Sequence, residues 1–333
     1  MRIGVIGVGR IGALHAETLR SLAEVDELVV VDTDAARAQQ VGSRTGAAWA
    51  PDIGHVLKDR TDGIVIATPT DTHAGLVRAA AEAGVAVFCE KPVAADVAGT
   101  KEVVRLVEKS GAQVQIGFQR RFDAGFVSAR HQVQAKKLGW LHTVRASTLD
   151  PAPPPAAYVA SSGGIFRDCS VHDIDAVRWV TGREVSVAYA TGSNRGASYF
   201  SEAGDVDTAA AVLTLDDGTL ALVSATRYNA AGYDVRLELL GSEDSISVGL
   251  DDRLPLRSAE PGVTWPPGAA YANFMERFRA AYVAELEAFV EVVSGRAANP
   301  CTPADALETF YVAEACELSR RERRPVTMEE VRI

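Results

Sequence analysis

Asp168 and His172 stand four residues apart in the segment Gly163-Gly164-Ile165-Phe166-Arg167-Asp168-Cys169-Ser170-Val171-His172-Asp173-Ile174-Asp175. On a helix that spacing puts a carboxylate and an imidazole on one face, with Asp175 on the same face. Val171, Ile174, Val177 and Val180 form an adjacent apolar stripe that holds the helix against a core. A carboxylate one turn before a histidine orients the imidazole and raises its basicity, which suits removal of a proton from an alcohol. An ordinary exposed polar pair has the same spacing. What gives this pair a reaction to serve is the N-terminal third of the chain.

That third opens on the apolar run Arg2-Ile3-Gly4-Val5-Ile6, then Gly7-Val8-Gly9-Arg10-Ile11-Gly12 and a helical pattern to about Leu22. A second strand, Leu28 to Val31, closes on Asp32, 20 residues beyond Gly12. Strand, glycine loop, helix, strand and acid in this order predict a dinucleotide site. Gly7 allows the tight turn, Gly9 lets the backbone approach a pyrophosphate, and Gly12 permits close packing. Arg10 and Ile11 open the helix whose N-terminus faces the phosphates. Asp32 is expected to bond both ribose hydroxyls of an adenosine. A carboxylate there repels a 2′-phosphate, and Thr33 and Asp34 supply no compensating arginine, so the expected cofactor is NAD.

The alternation of strand and helix continues. Gly63 to Thr68 reads as a buried parallel strand, and Thr68, Pro69 and His73 lie in and after the loop at its carboxyl end, where open α/β sheets bind ligands. His73 is placed against the cofactor, or else caps the helix that follows. The strand Ala86 to Cys89 ends in Glu90-Lys91-Pro92, so Glu90 and Lys91 reach the same edge, and Pro92 fixes the turn that aims Lys91. A lysine there can bond a substrate hydroxyl. After the strand Gln113 to Phe118 the pattern changes, and the boundary is expected near Phe122, giving a dinucleotide-binding domain of residues 1–121 and a second domain of residues 122–333.

The second domain reads as a helix from Ala124 to Lys137 followed by strands Leu141–Leu149, Val185–Gly192, Val206–Leu215, Thr219–Tyr228, Val235–Leu240 and Ser245–Val248. Asp216-Asp217-Gly218 is a hairpin signal. These elements predict a large, mostly antiparallel sheet with the His172 helix on one face. Asp150–Pro155 and Pro255–Pro267 read as loops, and two helices, Tyr271–Val293 and Pro303–Arg323, end the chain.

At 333 residues the chain exceeds the usual span of one core, and its net charge of −10 argues against nucleic acid or an anionic membrane as partner. No signal peptide or membrane-spanning run is evident, so a cytoplasmic enzyme is expected. Cys89, Cys169, Cys301 and Cys316 show no paired or metal-ligand spacing. They are expected to be reduced thiols, with no metal bound.

Together the glycine loop, the Glu90-Lys91-Pro92 tripeptide and the Gly163–Asp175 segment resemble the Gfo/Idh/MocA oxidoreductase family across the whole chain. Gly117-Phe118-Gln119-Arg120-Arg121-Phe122-Asp123, Gly232-Tyr233-Asp234 and Phe278-Arg279-Ala280-Ala281-Tyr282 are similar to its inositol dehydrogenases. The resemblance implies a Rossmann domain followed by an α+β domain with an open sheet that serves tetramer contacts. It also implies a catalytic set of Lys91, Asp168 and His172, and contacts from Arg120, Asp150 and Tyr233 to a polyol such as myo-inositol. Gln119 and Asp150 stand where some members carry Met and Asn, which leaves the preferred isomer open. Scyllo-inositol, an aldose or a glycoside are the alternative substrates. A non-catalytic NAD-binding sensor is the alternative from another class, against which all three catalytic positions are present.

Overall fold

The computed structural model describes every residue except Asp59, Trp265, Pro267 and Ile333. The expected loop Pro255–Pro267 thus extends, at Trp265 and Pro267, outside the described residues. The chain forms two compact units, one of Met1–Gln119 with Tyr282–Glu308, the other of Arg120–Ala281 with Thr309–Ile333. No helix among the described residues is long and apolar enough to cross a membrane.

The first unit is built on a parallel sheet. Its strands are β1 (Arg2–Ile6), β2 (Glu27–Val31), β3 (Ala48–Ala50), β4 (Gly63–Ile66), β5 (Ala86–Glu90) and β6 (Val114–Gly117), in the order β3-β2-β1-β4-β5-β6. Short runs rich in Val and Ile, wholly buried in β4 and β6, are what a sheet covered on both faces requires. Ile3, Val5, Val30, Val65 and Phe88 pack with Leu286 and Phe289 of the Arg279–Val293 helix in one core. The strand order turns between β1 and β4, and at such a point the loops beyond the strand ends diverge and leave a crevice. Gly7 follows β1 and Thr68 follows β4, so both loops border it.

The second unit carries β7 (Leu141–Leu149), β8 (Val185–Ser193), β9 (Thr208–Leu215), β10 (Leu220–Thr226), β11 (Asp234–Gly241), β12 (Ser245–Val248) and β13 (Val326–Thr327), in the order β12-β11-β7-β10-β9-β8-β13. Five of the six pairings are antiparallel; β7 and β10 run parallel. The hairpin at Asp216-Asp217-Gly218 joins β9 to β10, with Gly218 at φ 88°. One face, with Val144, Ala146, Val223, Ala211 and Ala188, is buried, and the Val171–Thr181 helix packs against β7 and β10. On the opposite face Tyr189, Val212 and Leu222 are exposed and in register across β8, β9 and β10.

Two helices differ from expectation. The helix expected over Tyr271–Val293 is two helices, Phe274–Arg277 and Arg279–Val293, because Phe278 leaves the helical backbone and Asn273 caps the first with its side chain. The segment expected to be one helix around Asp168 and His172 begins as a π-helix over Phe166–Ser170 and becomes α-helical at Val171.

Candidate active site

In the first unit the glycine loop fits a dinucleotide. Gly7 adopts φ 84°, and a Cβ on Gly12 would lie 1.9 Å from the Gly7 carbonyl oxygen, so neither position admits a side chain. A Cβ on Gly9 would meet no atom within 4 Å, which leaves the backbone at the start of the Arg10–Ser21 helix open to a phosphate. Arg10 and Ile11 supply the first amides of that helix, which have no partner inside it.

Asp32 accepts hydrogen bonds from the Val8 amide at 2.9 Å and the Asp34 amide at 2.9 Å, which fixes it beside the glycine loop. Burial by itself would raise its carboxyl. The two amides and Arg37 outweigh that and hold it below the usual carboxylate range. Arg37 Nη1 lies 3.2 Å from Asp32 Oδ1, a cation that the reading of Thr33 and Asp34 did not take in. The side chain reaches back from the first turn of the Ala35–Thr45 helix, beyond Thr33 and Asp34.

His73 is buried, with Nδ1 2.7 Å from the Pro92 carbonyl oxygen and Nε2 2.9 Å from the Thr68 carbonyl oxygen. The expected polar contact from His73 to the cofactor is therefore corrected: both ring nitrogens face backbone carbonyls, and the residue ties the loop after β4 to the turn after Lys91. Thr68 is half-buried and Pro69 exposed at that loop, and the Thr68 hydroxyl lies 2.6 Å from that of Thr72. Lys91, half-buried, follows β5 directly and precedes Pro92 across a cis peptide bond.

Glu90 does not act alone. His15 Nε2 lies 2.6 Å from Glu90 Oε1, and Glu285 completes a set whose ligand atoms fall within 4.8 Å of one another. Burial, and then the charge of Glu90, push the Glu285 carboxyl well above its usual range. His15, Glu90 and Glu285 thus form one cluster of titratable groups under β5. His15 and Glu285 escaped sequence reasoning, since each sits on an otherwise ordinary helical pattern.

In the second unit, the Asp168 oxygens accept from the Tyr158 hydroxyl at 2.8 Å and from Arg227 Nη2 at 2.6 Å. Arg227 Nη1 donates to Asp150 Oδ2 at 2.7 Å, so one guanidinium spans two candidate site carboxylates. His172, half-buried, stands just past the π turn. Asp175 was expected to share its face with Asp168 and His172. It is instead buried against Arg121, at 2.7 and 2.9 Å. A π turn takes in one more residue than an α turn, so the face that bears Asp168 is not continued by Asp175.

Arg120 is also drawn inward. Its Nη1 donates to Asp173 at 2.5 Å and its Nη2 to the Thr148 hydroxyl at 2.6 Å, while Thr148 donates to Asp173 at 2.7 Å. The Nη hydrogen bonds of Arg120 thus hold the His172 helix to β7. Tyr233 is buried, and burial pushes its phenol far above its usual range despite the nearby Arg120. Asp150, Cys169 and Asp173 act on Tyr233 as well, so Arg120, Asp150, Asp173 and Tyr233 share one electrostatic neighbourhood. Burial raises the Cys169 thiol well above its usual range, which removes it as a nucleophile.

Comparison with known proteins places these halves. Residues 1–118 match the model of the oxidoreductase family with NAD-binding Rossmann fold, GFO_IDH_MocA, and residues 126–247 match the GFO/IDH/MocA C-terminal domain. The myo-inositol dehydrogenase Hyg17 of Streptomyces leeuwenhoekii is 36% identical over 322 residues, covering 96% of this chain and 97% of that protein. The myo-inositol 2-dehydrogenase of Thermotoga maritima is 34% identical, covering 99% of each. The crystal structure of scyllo-inositol dehydrogenase from Lactobacillus casei with bound NAD(H) and scyllo-inositol superposes with a TM-score of 0.88 at 28% identity, covering 99% of each chain.

Proposed function

This chain belongs to the GFO/IDH/MocA oxidoreductase family and is an NAD-dependent enzyme acting on CH–OH groups, and from that premise we propose that it oxidises one ring hydroxyl of myo-inositol to the ketone. His172 removes the hydroxyl proton as general base, oriented by Asp168, and Lys91 stabilises the oxygen as it becomes a carbonyl. The glycine loop Gly7–Gly12 and Asp32 of the first unit would hold NAD, which would supply the hydride acceptor. The observation that carries the reading is the placement of Asp168 between Tyr158 and Arg227, in one polar cluster with Asp150 on the segment that leads to His172. A ring bearing a hydroxyl on every carbon suits such a cluster.

Scyllo-inositol is the second reading, favoured by the Lactobacillus casei relative solved with that polyol. Initial rates of NAD reduction with myo-inositol, scyllo-inositol, D-chiro-inositol, glucose and xylose, each repeated with NADP, test both. Highest kcat/KM with myo-inositol and NAD is the expected outcome. Failure of every cyclitol while NAD still binds would refute the assignment and favour a sugar substrate or a sensor.

The same reading makes the protein a homo-oligomer, in the tetramer implied by its family. Its support is the exposed row Tyr189, Val212 and Leu222, an apolar face that a second copy of the sheet can cover. A cytosolic setting agrees with four buried cysteines that form no disulfide among the described residues.

A further inference from the structure

Arg227 owes its place to the parallel pair of the second sheet. Thr226, the last residue of β10, is in register with Leu149, the last of β7, so the next residue of each strand emerges at the same edge. Those residues are Arg227 and Asp150, and the Asp150 amide donates to the Thr226 carbonyl at 2.8 Å to close the edge. The π turn over Phe166–Ser170 packs on the same two strands and brings in Asp168. Arg227 is 6% exposed, and its guanidinium is forked between the two carboxylates at 2.7 and 2.6 Å.

We propose that Arg227 is the positioning residue of this site, setting the orientation of Asp168 and tying it to Asp150, so that the carboxylate orienting the base and a carboxylate recognising the polyol turn on one cation. This rests on the reading of Asp168 and His172 as the acid–base pair. Three features separate such a role from simple neutralisation. Two short contacts are made by the two terminal nitrogens of one planar group, which fixes direction as well as charge. The other oxygen of Asp168 is held by Tyr158, at 2.8 Å, so the carboxylate is gripped at both ends and its plane is defined. Neither partner is an exposed surface acid: the Asp168 and Asp150 side chains are 11% and 20% exposed.

The test is a kinetic cycle on the full-length enzyme with NAD and myo-inositol. Arg227→Lys keeps the charge but offers one donor point in place of the fork. It should lower kcat by about tenfold and leave KM for NAD unchanged, with an unaltered melting temperature. Arg227→Ala should lower kcat by about 100-fold and regain activity when millimolar guanidinium, but not equal sodium chloride, is added. If Arg227 acts through Asp168, Arg227→Lys combined with Asp168→Asn is no slower than Asp168→Asn alone. Multiplicative losses in the double variant would overturn the proposal, as would a wild-type kcat in Arg227→Lys. Should Arg227→Ala fail to fold, the lysine variant and the cycle decide. An Asp168→Asn enzyme as fast as wild type would instead overturn the acid–base reading beneath it.

Discussion

Arg37 Nη1 lies 3.2 Å from Asp32 Oδ1, and that contact puts a cation beside the carboxylate expected to read the adenosine ribose. While Asp32 is present, Arg37 is engaged and a 2′-phosphate meets negative charge. Asp32→Ala should weaken the preference for NAD by releasing Arg37 to a 2′-phosphate, raising kcat/KM with NADP about tenfold or more. Asp32→Ala with Arg37→Ala should lose that gain. Paired kcat/KM values for the two cofactors check this, and unchanged selectivity in Asp32→Ala would remove the residue from the ribose.

His172→Ala and Asp168→Asn should each lower turnover by about 10²-fold or more, the scale of a positioned acid–base group. The measurement is kcat at saturating NAD and polyol, with NAD affinity followed separately by fluorescence. A variant within a fewfold of wild type would remove that residue from the catalytic set.

Asp175→Ala should behave differently from Asp168→Asn although the two acids lie seven residues apart. Removing Asp175 leaves Arg121 buried without its bidentate partner, at a cost of about 3–5 kcal/mol. Urea unfolding should show that loss, while KM for both substrates in the folded fraction stays near wild type. A selective loss of kcat with full stability would return Asp175 to the chemistry.

Glu285 gives a pH-dependent signature. Its carboxyl, raised by burial and by Glu90, keeps its proton in the folded protein while the unfolded chain releases it near the ordinary value of 4.5. The unfolded state then binds fewer protons, so wild-type stability falls as pH rises above about 4.5 until the folded carboxyl titrates. Glu285→Gln mimics the neutral acid and lacks this dependence. Its stability advantage over wild type should widen as pH rises above about 5 in urea titrations, and an advantage constant with pH would show that Glu285 is ionised in the fold.

Leu222→Asp should shift the protein to smaller species in analytical ultracentrifugation, because it places a charge at the β10 end of the exposed row with Val212 and Tyr189. A solution mass unchanged by the substitution would place any subunit contact elsewhere.

The legible parts of this molecule are those written in local pattern. The Val- and Ile-rich runs of β1, β2 and β4, the glycine loop and the hairpin at Asp216-Asp217-Gly218 are each encoded within a few residues, and each lies where the sequence puts it. The site was legible in its residue types but not in its pairings. Arg227 meets Asp168 across 59 residues and Asp150 across 77, so no window of sequence contains the contact. Asp175 and Arg121 are 54 residues apart, and a helical wheel assigns Asp175 to a face without knowing what waits on the other side. The π turn was hidden for a related reason: over a single turn, spacings of three and four residues fit i→i+4 and i→i+5 closure alike.

His73 gives the molecule an evolutionary constraint. The two loops it joins belong to successive β–α units, and a mutation that lengthens or redirects one of them drags on the other through a single side chain. The loop bearing Thr68 and the turn bearing Lys91 are therefore inherited together. A lineage, or an engineer, that wants to alter one without the other must first find a replacement for that histidine.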